Sequence, residues 1–151
     1  MEYPVLLPRP AARALLQGDE AHSGLRGEVL FCPYGRGTLV IARVVGLPSP
    51  GFLGFHVHTG GSCTAGGDIP FSSAGGHYDP YDVPHPWHSG DLPPLLASGQ
   101  GTALLAVYTD RFRPEEVVGR TVVVHERADD FRSQPAGDSG SRLACGVIQA
   151  V

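Results

Sequence analysis

The sequence predicts an all-β fold, an antiparallel sandwich or barrel of about eight short strands. Glycine and proline are frequent, at 21 and 14 of 151 residues, and this composition favours turns and short strands over long helices. Seven or eight strand-like stretches, separated by turn signals, support the same fold class. The length suits one domain, so we predict a single domain over residues 1–151 with an irregular, proline-rich arm at 1–10.

The N-terminal half contains the first strands. Residues 11–18 fit either a strand or a short helix, and a turn is predicted at 19–24. Residues 25–32 partly alternate in hydrophobicity and predict a strand. A hairpin turn at 33–37 then leads to a β-branched strand at 38–47.

The C-terminal half adds three strands, predicted at 103–109, 120–126 and 142–151. Residues 113–119 form a short connection with room for one helical turn, and residues 128–141 form a polar, glycine-rich loop. These elements complete the predicted antiparallel architecture.

An H-x-H motif, His56 and His58, lies within the apolar stretch 54–60. On a strand, residues two apart point to the same face, roughly 7 Å apart along the chain. Two imidazoles so placed can converge on one ion, and imidazole suits zinc, copper, iron and nickel. A chance pair of histidines on a solvated strand face is the alternative at this point.

Residues 59–90 have no strong period and are rich in Gly, Pro, Ser and His. A loop of this length is unusual in a compact domain and is commonly functional, and either a metal or a disulfide could order it. Histidines at 77, 85 and 88, followed by Asp91, make a nitrogen and oxygen set of the kind that zinc takes. His22, in an early turn, is predicted to be a solvated surface residue.

Six motifs follow one another along the chain. They are GFHVH at 54–58, a cysteine at 63, SAGGHYDP at 73–80, HSGDLP at 88–93, GRTVVVHERADD at 119–130 and GSRLACGV at 140–147. In this order they resemble the Cu,Zn superoxide dismutase family, from about residue 11 to the end of the chain. Each motif alone is a weak signal, whereas six in register are a strong one. The resemblance implies a Greek-key antiparallel β-barrel with long metal-binding loops.

The resemblance implies two metal cofactors, copper and zinc. The residues that match the copper ligands are His56, His58, His77 and His125, and those that match the zinc ligands are His77, His85, His88 and Asp91. His77 would bridge the two ions as an imidazolate, a deprotonated state that two cations can enforce. Asp129 matches a carboxylate that ties a copper ligand to a zinc ligand, and such outer groups fix ring tautomer and orientation.

The function that the resemblance implies is superoxide dismutation. Copper would cycle between Cu(II) and Cu(I) to convert superoxide to O2 and H2O2, zinc would be structural, and His77 would release copper in the reduced state and carry a proton. Arg142 matches the arginine that steers the anionic substrate, and a guanidinium keeps its charge at any working pH. The net charge of −4 repels superoxide, so steering must come from a local field.

A copper-binding dismutase-like module for copper storage, sensing or transfer is the alternative function. Such domains typically lose a copper ligand or the arginine, and this chain keeps both. The acidic balance argues against a nucleic-acid partner, and the absence of a long apolar run argues against a membrane span. The resemblance allows a homodimer without indicating its contacts.

Three cysteines are present. Cys63 and Cys145 match the family's intrasubunit disulfide, and Cys32 is expected to be a buried strand residue. The N-terminus lacks a basic segment followed by a long apolar one, so no signal peptide is predicted and a cytoplasmic location is favoured. A disulfide would instead suit an exported protein.

Three features depart from the family pattern. Only two residues separate His85 from His88, where the family commonly has a longer segment, so a copper-only protein is the alternative to a zinc site. The loop at 129–142 has few basic residues, and this predicts slower substrate capture at physiological salt. Arg132 within this loop is interpreted as a solvated surface residue. Residues 68–71 resemble bacterial members more than animal ones.

Overall fold

The computed structural model describes residues 8–151, and nine strands form within that range. The strands are β1 (Ala12–Gly18), β2 (Arg26–Tyr34), β3 (Gly37–Val45), β4 (Gly51–Leu53), β5 (Phe55–His58), β6 (Leu95–Ala97), β7 (Ala103–Thr109), β8 (Thr121–His125) and β9 (Arg142–Ala150). The predicted all-β antiparallel fold is confirmed. Most of the predicted arm at 1–10 lies outside the described residues, and residues 8–10 have no regular structure.

Seven strands form one curled antiparallel sheet in the order β5-β8-β9-β1-β2-β3-β7. β4 and β6 pair separately, and β6 lies against β7 at the edge of the large sheet. Several neighbours in this order are distant in sequence, as in Greek-key arrangements. The order places β5 and β8, which carry three of the site histidines, side by side at the other edge.

The first strand shows why these residues fold as they do. Ala12, Ala14 and Leu16 are buried, whereas the residues between them are exposed. This period of two is that of a strand with one face on the core, so the choice between strand and helix at 11–18 is decided for a strand. The largest fully buried side chains of the core include Phe31, Phe55 and Phe112.

Two details differ from the sequence prediction. Tyr34 pairs with Gly37, so the hairpin turn comprises only two residues, and Gly35 adopts a φ of 54° that suits this tight connection. β4 and β6 are not predicted as strands from the sequence, because each has only three residues. The expected helical turn is present at Pro114–Val117.

Two long loops position the site. The first long loop, residues 59–94, joins β5 to β6 and contains a short 3-10 helix at Ser72–Ala74, and the second long loop, residues 126–141, joins β8 to β9. The first long loop lies along β5, where isolated bridges pair His56 with Asp91 and His58 with His77. These bridges bring residues far apart in sequence beside the H-x-H motif.

The expected disulfide is present between Cys63 and Cys145 and joins the first long loop to β9. Phe71, Ala74 and Val123 pack around it as a small apolar cluster separate from the main core. Cys32 is buried in β2 with a free thiol, and burial raises its pKa. Within residues 8–151, no helix has the length and apolar character to cross a bilayer.

Candidate metal centre

β5 presents its two histidines to one side and its two apolar residues to the other. All four residues of the strand are buried, with Phe55 and Val57 in the main core. His56 and His58 therefore occupy the opposite face, which the first long loop covers. The loop can approach closely because Gly90 has no side chain, and a Cβ at that position would lie 2.2 Å from the carbonyl oxygen of Val57.

Four imidazoles form the first group, which we call the four-histidine group. Its members are His56, His58, His77 and His125, all buried, and one ring nitrogen from each lies within 4.8 Å of the others. His125 joins the group at a β-bulge, where the register between β8 and β9 shifts after Val124. Bulges commonly re-aim a side chain in this way.

The tautomers of His58 and His125 follow from their partners. His58 Nδ1 donates to the carbonyl of Gly75 at 2.8 Å, and His125 Nδ1 donates to the carbonyl of Gly140 at 3.3 Å. The two Nε2 atoms, 3.3 Å apart, therefore direct lone pairs toward each other. Two acceptors at this distance repel each other unless a proton or a cation lies between them.

Three imidazoles and one carboxylate form the second group, which we call the mixed group. Its members are His77, His85, His88 and Asp91. Asp91 Oδ1 lies 2.7 Å from His77 Nδ1, and Asp91 Oδ2 lies 3.1 Å from His85 Nδ1 and 3.2 Å from His88 Nδ1. One carboxylate is thus the common neighbour of three rings.

His77 belongs to both groups. Its Nδ1 is in the mixed group, and its Nε2 is buried without a hydrogen-bond partner beside the four-histidine group. The ring stacks on that of His56 with centroids 4.0 Å apart. One imidazole can therefore offer a nitrogen to each group at once.

Asp129 links the two groups from behind. Its Oδ2 accepts from His56 Nε2 and its Oδ1 accepts from His85 Nε2, both at 2.8 Å. Burial alone would raise the pKa of Asp129, but these two hydrogen bonds and a third from the Phe131 N–H lower it well below its usual range. The carboxylate therefore stays ionised and turns the Nδ1 atoms of His56 and His85 toward the site.

Burial shifts the titration of several of these rings. Desolvation, helped by neighbouring histidines and opposed by hydrogen bonds to Asp91 and Gly140, lowers the pKa of His77 to about 4 and that of His125 to about 3. Desolvation also lowers the pKa of His58 well below its ordinary value. Burial would raise the pKa of Asp91, but His77 and its neighbours lower it. At neutral pH these rings are unprotonated and available as ligands.

The donor atoms fit metal ions. Among residues 8–151, His56 Nδ1, His77 Nε2 and His85 Nδ1 are buried without a hydrogen bond, which is costly unless something else binds them. Ligand atoms on a tetrahedron with bonds of about 2.0–2.1 Å lie about 3.3–3.4 Å apart. His88 Nδ1 lies 3.3 Å from His77 Nδ1, close to that spacing. Three nitrogens with one carboxylate suit zinc, and an all-imidazole set suits copper.

Arg142 lies at the opening of the four-histidine group. A cleft of about 490 Å³ is lined by His58, His77 and His125 together with Arg142 and part of the second long loop. The guanidinium is fixed by donating to the carbonyls of Phe71 at 2.7 Å and Gly75 at 2.5 Å. Partial burial lowers the pKa of Arg142. Because the ordinary pKa of a guanidinium is very high, the side chain still stays charged.

The structure thus brings together all the predicted ligands, Asp129 and Arg142. His22 is half-buried and 2.6 Å from Asp19, well outside the two groups, and Arg132 is exposed. Three residues that contact the site are not predicted from the sequence: Arg111, Gln134 and Gly137. No local pattern marks them, because their contacts depend on how the loops fold.

Fold and site together define an antiparallel β-barrel metalloprotein with two adjoining metal-binding groups. The family model described as copper/zinc superoxide dismutase (SODC) matches residues 25–148. The Cu-Zn superoxide dismutase of Deinococcus radiodurans is 38% identical, with 96% of this chain and 87% of that protein covered. The extracellular Cu-Zn superoxide dismutase of Onchocerca volvulus is 37% identical over 91% of this chain and 74% of its own length.

Comparison with a solved structure indicates the same family. The Cu/Zn superoxide dismutase from Brucella abortus superposes with a TM-score of 0.80 at 31% identity, covering 90% of this chain and 98% of its own. The chain belongs to the copper/zinc superoxide dismutase family.

Proposed function

We propose that the protein is a superoxide dismutase in which the four-histidine group binds copper and the mixed group binds zinc. The observation that carries this assignment is His77, whose two ring nitrogens belong to different groups. A protein that only stored or handed on copper would not need a second site sharing a ligand with the first. The retained Arg142 at the cleft also favours catalysis over that alternative.

The chain's own residues have distinct roles in this mechanism. Bound copper supplies the one-electron couple that converts superoxide to O2 and H2O2, and bound zinc supplies a fixed charge. Arg142 attracts the anion to the cleft and donates hydrogen bonds to it. With its Nδ1 held by zinc in the mixed group, His77 Nε2 would be the atom that holds a proton between the two halves of the reaction. His56 and His58 keep fixed orientations through Asp129 and Gly75.

The test measures metal content and superoxide consumption in purified protein. Copper- and zinc-loaded protein is expected to consume superoxide, and His125→Ala is expected to abolish this activity. His22→Ala, outside the two groups, serves as the control. Activity retained in His125→Ala, or absent from the fully loaded protein, would contradict the assignment.

The zinc site needs its own test because of the short spacing between His85 and His88. Asp91→Ala is expected to lose zinc with little loss of copper, since Asp91 neighbours the three rings of the mixed group. Metal content measured by elemental analysis, with anomalous scattering at both absorption edges, distinguishes this result from a copper-only protein. Unchanged zinc content would exclude the mixed group as the zinc site.

We also propose that the protein forms a homodimer through the sheet of β4 and β6. Phe52 and Leu96 pair across these strands and each is 56% exposed. Phe131, half exposed, shares a surface pocket with Phe52 and Pro94, which extends the apolar patch. Phe52→Glu is expected to give a monomer by sedimentation, whereas Leu15→Glu on β1 is not. A wild-type monomer at micromolar concentration would contradict the dimer.

We further propose that the protein functions in an oxidising compartment and that residues 1–151 form a single domain. The disulfide between Cys63 and Cys145 favours an oxidising compartment over the cytoplasm. Thiol labelling of protein taken from cells tests this, because a cytoplasmic protein would be largely reduced at Cys63 and Cys145. A single cooperative unfolding transition over the whole chain would support one domain.

A further inference from the structure

The segment at 84–91 carries three members of the mixed group, His85, His88 and Asp91, on a very short loop, which we call the short metal loop. Three of its backbone carbonyls, those of His85, Pro86 and His88, accept hydrogen bonds from two side chains outside the loop. The donors are Arg111, just after β7, and Gln134, in the second long loop. The loop is therefore held from two parts of the chain.

Arg111 binds one end of this loop. A single nitrogen, NH1, donates to the carbonyl of Pro86 and to that of His88, both at 3.0 Å. The guanidinium carbon lies 5.8 Å from the centre of the Trp87 ring, within the range of a cation–π contact. Trp87 is 65% exposed, so this contact gives a large apolar side chain at the surface a specific partner.

Arg111 is itself attached to a rigid base. The next residue, Phe112, is buried in the core beside Phe31, with ring centroids 6.3 Å apart. The carbonyl of Phe112 accepts from Thr38 Oγ1 at 2.8 Å. The barrel thus sets the position of Arg111, and Arg111 in turn fixes the short metal loop relative to the barrel.

Gln134 binds the other end. Its Oε1 accepts from the His85 N–H at 2.9 Å and its Nε2 donates to the His85 carbonyl at 2.7 Å. The side-chain amide thus pairs with both backbone groups of His85, as a neighbouring strand would. The same loop supplies Asp129, which fixes the ring of His85 at Nε2. Backbone and ring of this histidine are therefore held by one loop.

We propose that Arg111 and Gln134 are positioning residues for zinc. They hold the short metal loop in the conformation that brings His85 and His88 to Asp91 and His77. Hydrogen bonds within the loop, such as those from the Trp87 N–H to the Pro84 carbonyl and from the His88 N–H to Asp91 Oδ2, give it a turn of its own. Arg111 and Gln134 fix this turn relative to β7 and the second long loop. This inference rests on the proposed assignment of the mixed group to zinc.

The experiment measures zinc affinity by chelator competition in Arg111→Met and Gln134→Ala. Each substitution is expected to weaken zinc binding by about 10- to 100-fold, the usual cost of removing an outer-shell partner. Copper affinity is expected to be nearly unchanged. The visible spectrum of cobalt placed in the zinc site is expected to change, since it reports the coordination geometry. Arg113→Met and Gln100→Ala are matched controls at exposed positions.

A conservative variant separates positioning from general stability. Because both carbonyls accept from one nitrogen, the single ammonium of Arg111→Lys keeps the charge and enough donors for both and is expected to restore most of the affinity. Gln134→Glu keeps the size but loses the donor to the His85 carbonyl, so it is expected to resemble Gln134→Ala. Metal-free thermal unfolding of each variant identifies any that fail to fold.

The outcomes distinguish this inference from the assignment on which it rests. Wild-type zinc affinity and cobalt spectrum in Arg111→Met and Gln134→Ala would overturn the positioning role. Equal losses in Arg111→Met and Arg111→Lys, with both folded, would overturn the role of Arg111. Zinc retained by Asp91→Ala would instead contradict the proposed zinc site itself.

Discussion

Asp129 Oδ2 lies 2.8 Å from His56 Nε2, and this hydrogen bond determines which ring nitrogen of His56 is directed to the four-histidine group. The other oxygen of Asp129 binds His85 of the mixed group in the same way. Because an ionised carboxylate only accepts, it requires an N–H on both rings and leaves both Nδ1 atoms as ligands. One side chain thus sets the tautomers of two rings in different groups.

Asp129→Asn is expected to weaken zinc binding by about 10- to 100-fold, with a smaller loss of copper. The asparagine NH2 faces one of the two rings as a donor, and that ring must change tautomer or turn away. Chelator competition measures both affinities. Asp130→Asn is the control because Asp130 is the exposed neighbour, and its side chain accepts from Ser133 and from the Arg132 N–H. Equal affinities in both variants would show that Asp129 has no such role.

Arg142 places a positive charge at the opening of the four-histidine group. In Arg142→Gln, kcat/KM at low salt is expected to fall by about tenfold, and its dependence on ionic strength is expected to weaken. The reason is the loss of a charge beside the rings of His58, His77 and His125. Arg142→Lys keeps the charge and is expected to retain more of the salt dependence.

The control for Arg142 is Arg36→Gln, in the exposed hairpin turn between β2 and β3. It changes the net charge equally, but Arg36 does not line the cleft. Stopped-flow measurements over a range of salt concentrations compare the variants. If Arg36→Gln and Arg142→Gln gave the same salt dependence, net charge alone would account for the effect.

The strands could be predicted from the sequence where one face is buried. β1 is the exception: exposed Leu15 interrupts the apolar alternation of Ala12, Ala14 and Leu16, so the sequence leaves strand and helix open there. β7 is predicted with the limits that the structure gives it, Ala103–Thr109. β4 is too short for a periodic signal, and its pairing with β6 depends on tertiary contacts.

The site was predictable in its residue types and less so in its geometry. The histidines and Asp91 stand out in the sequence because so many metal-ligand side chains in loops without periodicity have few explanations other than a metal site. The sequence could not indicate that Asp91 pairs with His56 across a bridge, or that the His58 ring is fixed by the Gly75 carbonyl. Backbone carbonyls are present at every residue, so a contact to one leaves no trace in residue type.

The third prediction concerns the pH dependence of the metal-free protein. Burial holds the folded-state pKa of His77 at about 4 and that of His125 at about 3, below the value near 6.5 expected when unfolded. Between pH 6.5 and about 4, the unfolded chain therefore binds more protons than the folded one. Stability is full above pH 6.5 and falls as the pH decreases, by about 1.4 kcal/mol per pH unit for each such histidine.

Chemical denaturation of metal-free protein at pH 7, 6 and 5, with the disulfide intact, measures this slope. His125→Gln removes one of the contributing rings, so its free energy of unfolding is expected to depend less steeply on pH. His22→Gln is the matched control outside the two groups. A free energy of unfolding that stayed constant or rose from pH 7 to pH 5 would contradict the prediction.

Gly137 allows the second long loop to pack closely over Asp129, the residue that connects the two groups. It has a φ of 71°, and a Cβ there would lie 2.0 Å from Asp129 Oδ1 and 2.7 Å from His85 Nε2. Gly137→Ala is therefore expected to displace Asp129 or His85 and to weaken zinc binding by about tenfold or more. Gly67→Ala is the matched control, since Gly67 has a similar φ of 59° but open space around it. Backbone strain is common to both variants, so a larger zinc loss in Gly137→Ala isolates the steric contact, and equal losses would attribute the effect to strain alone.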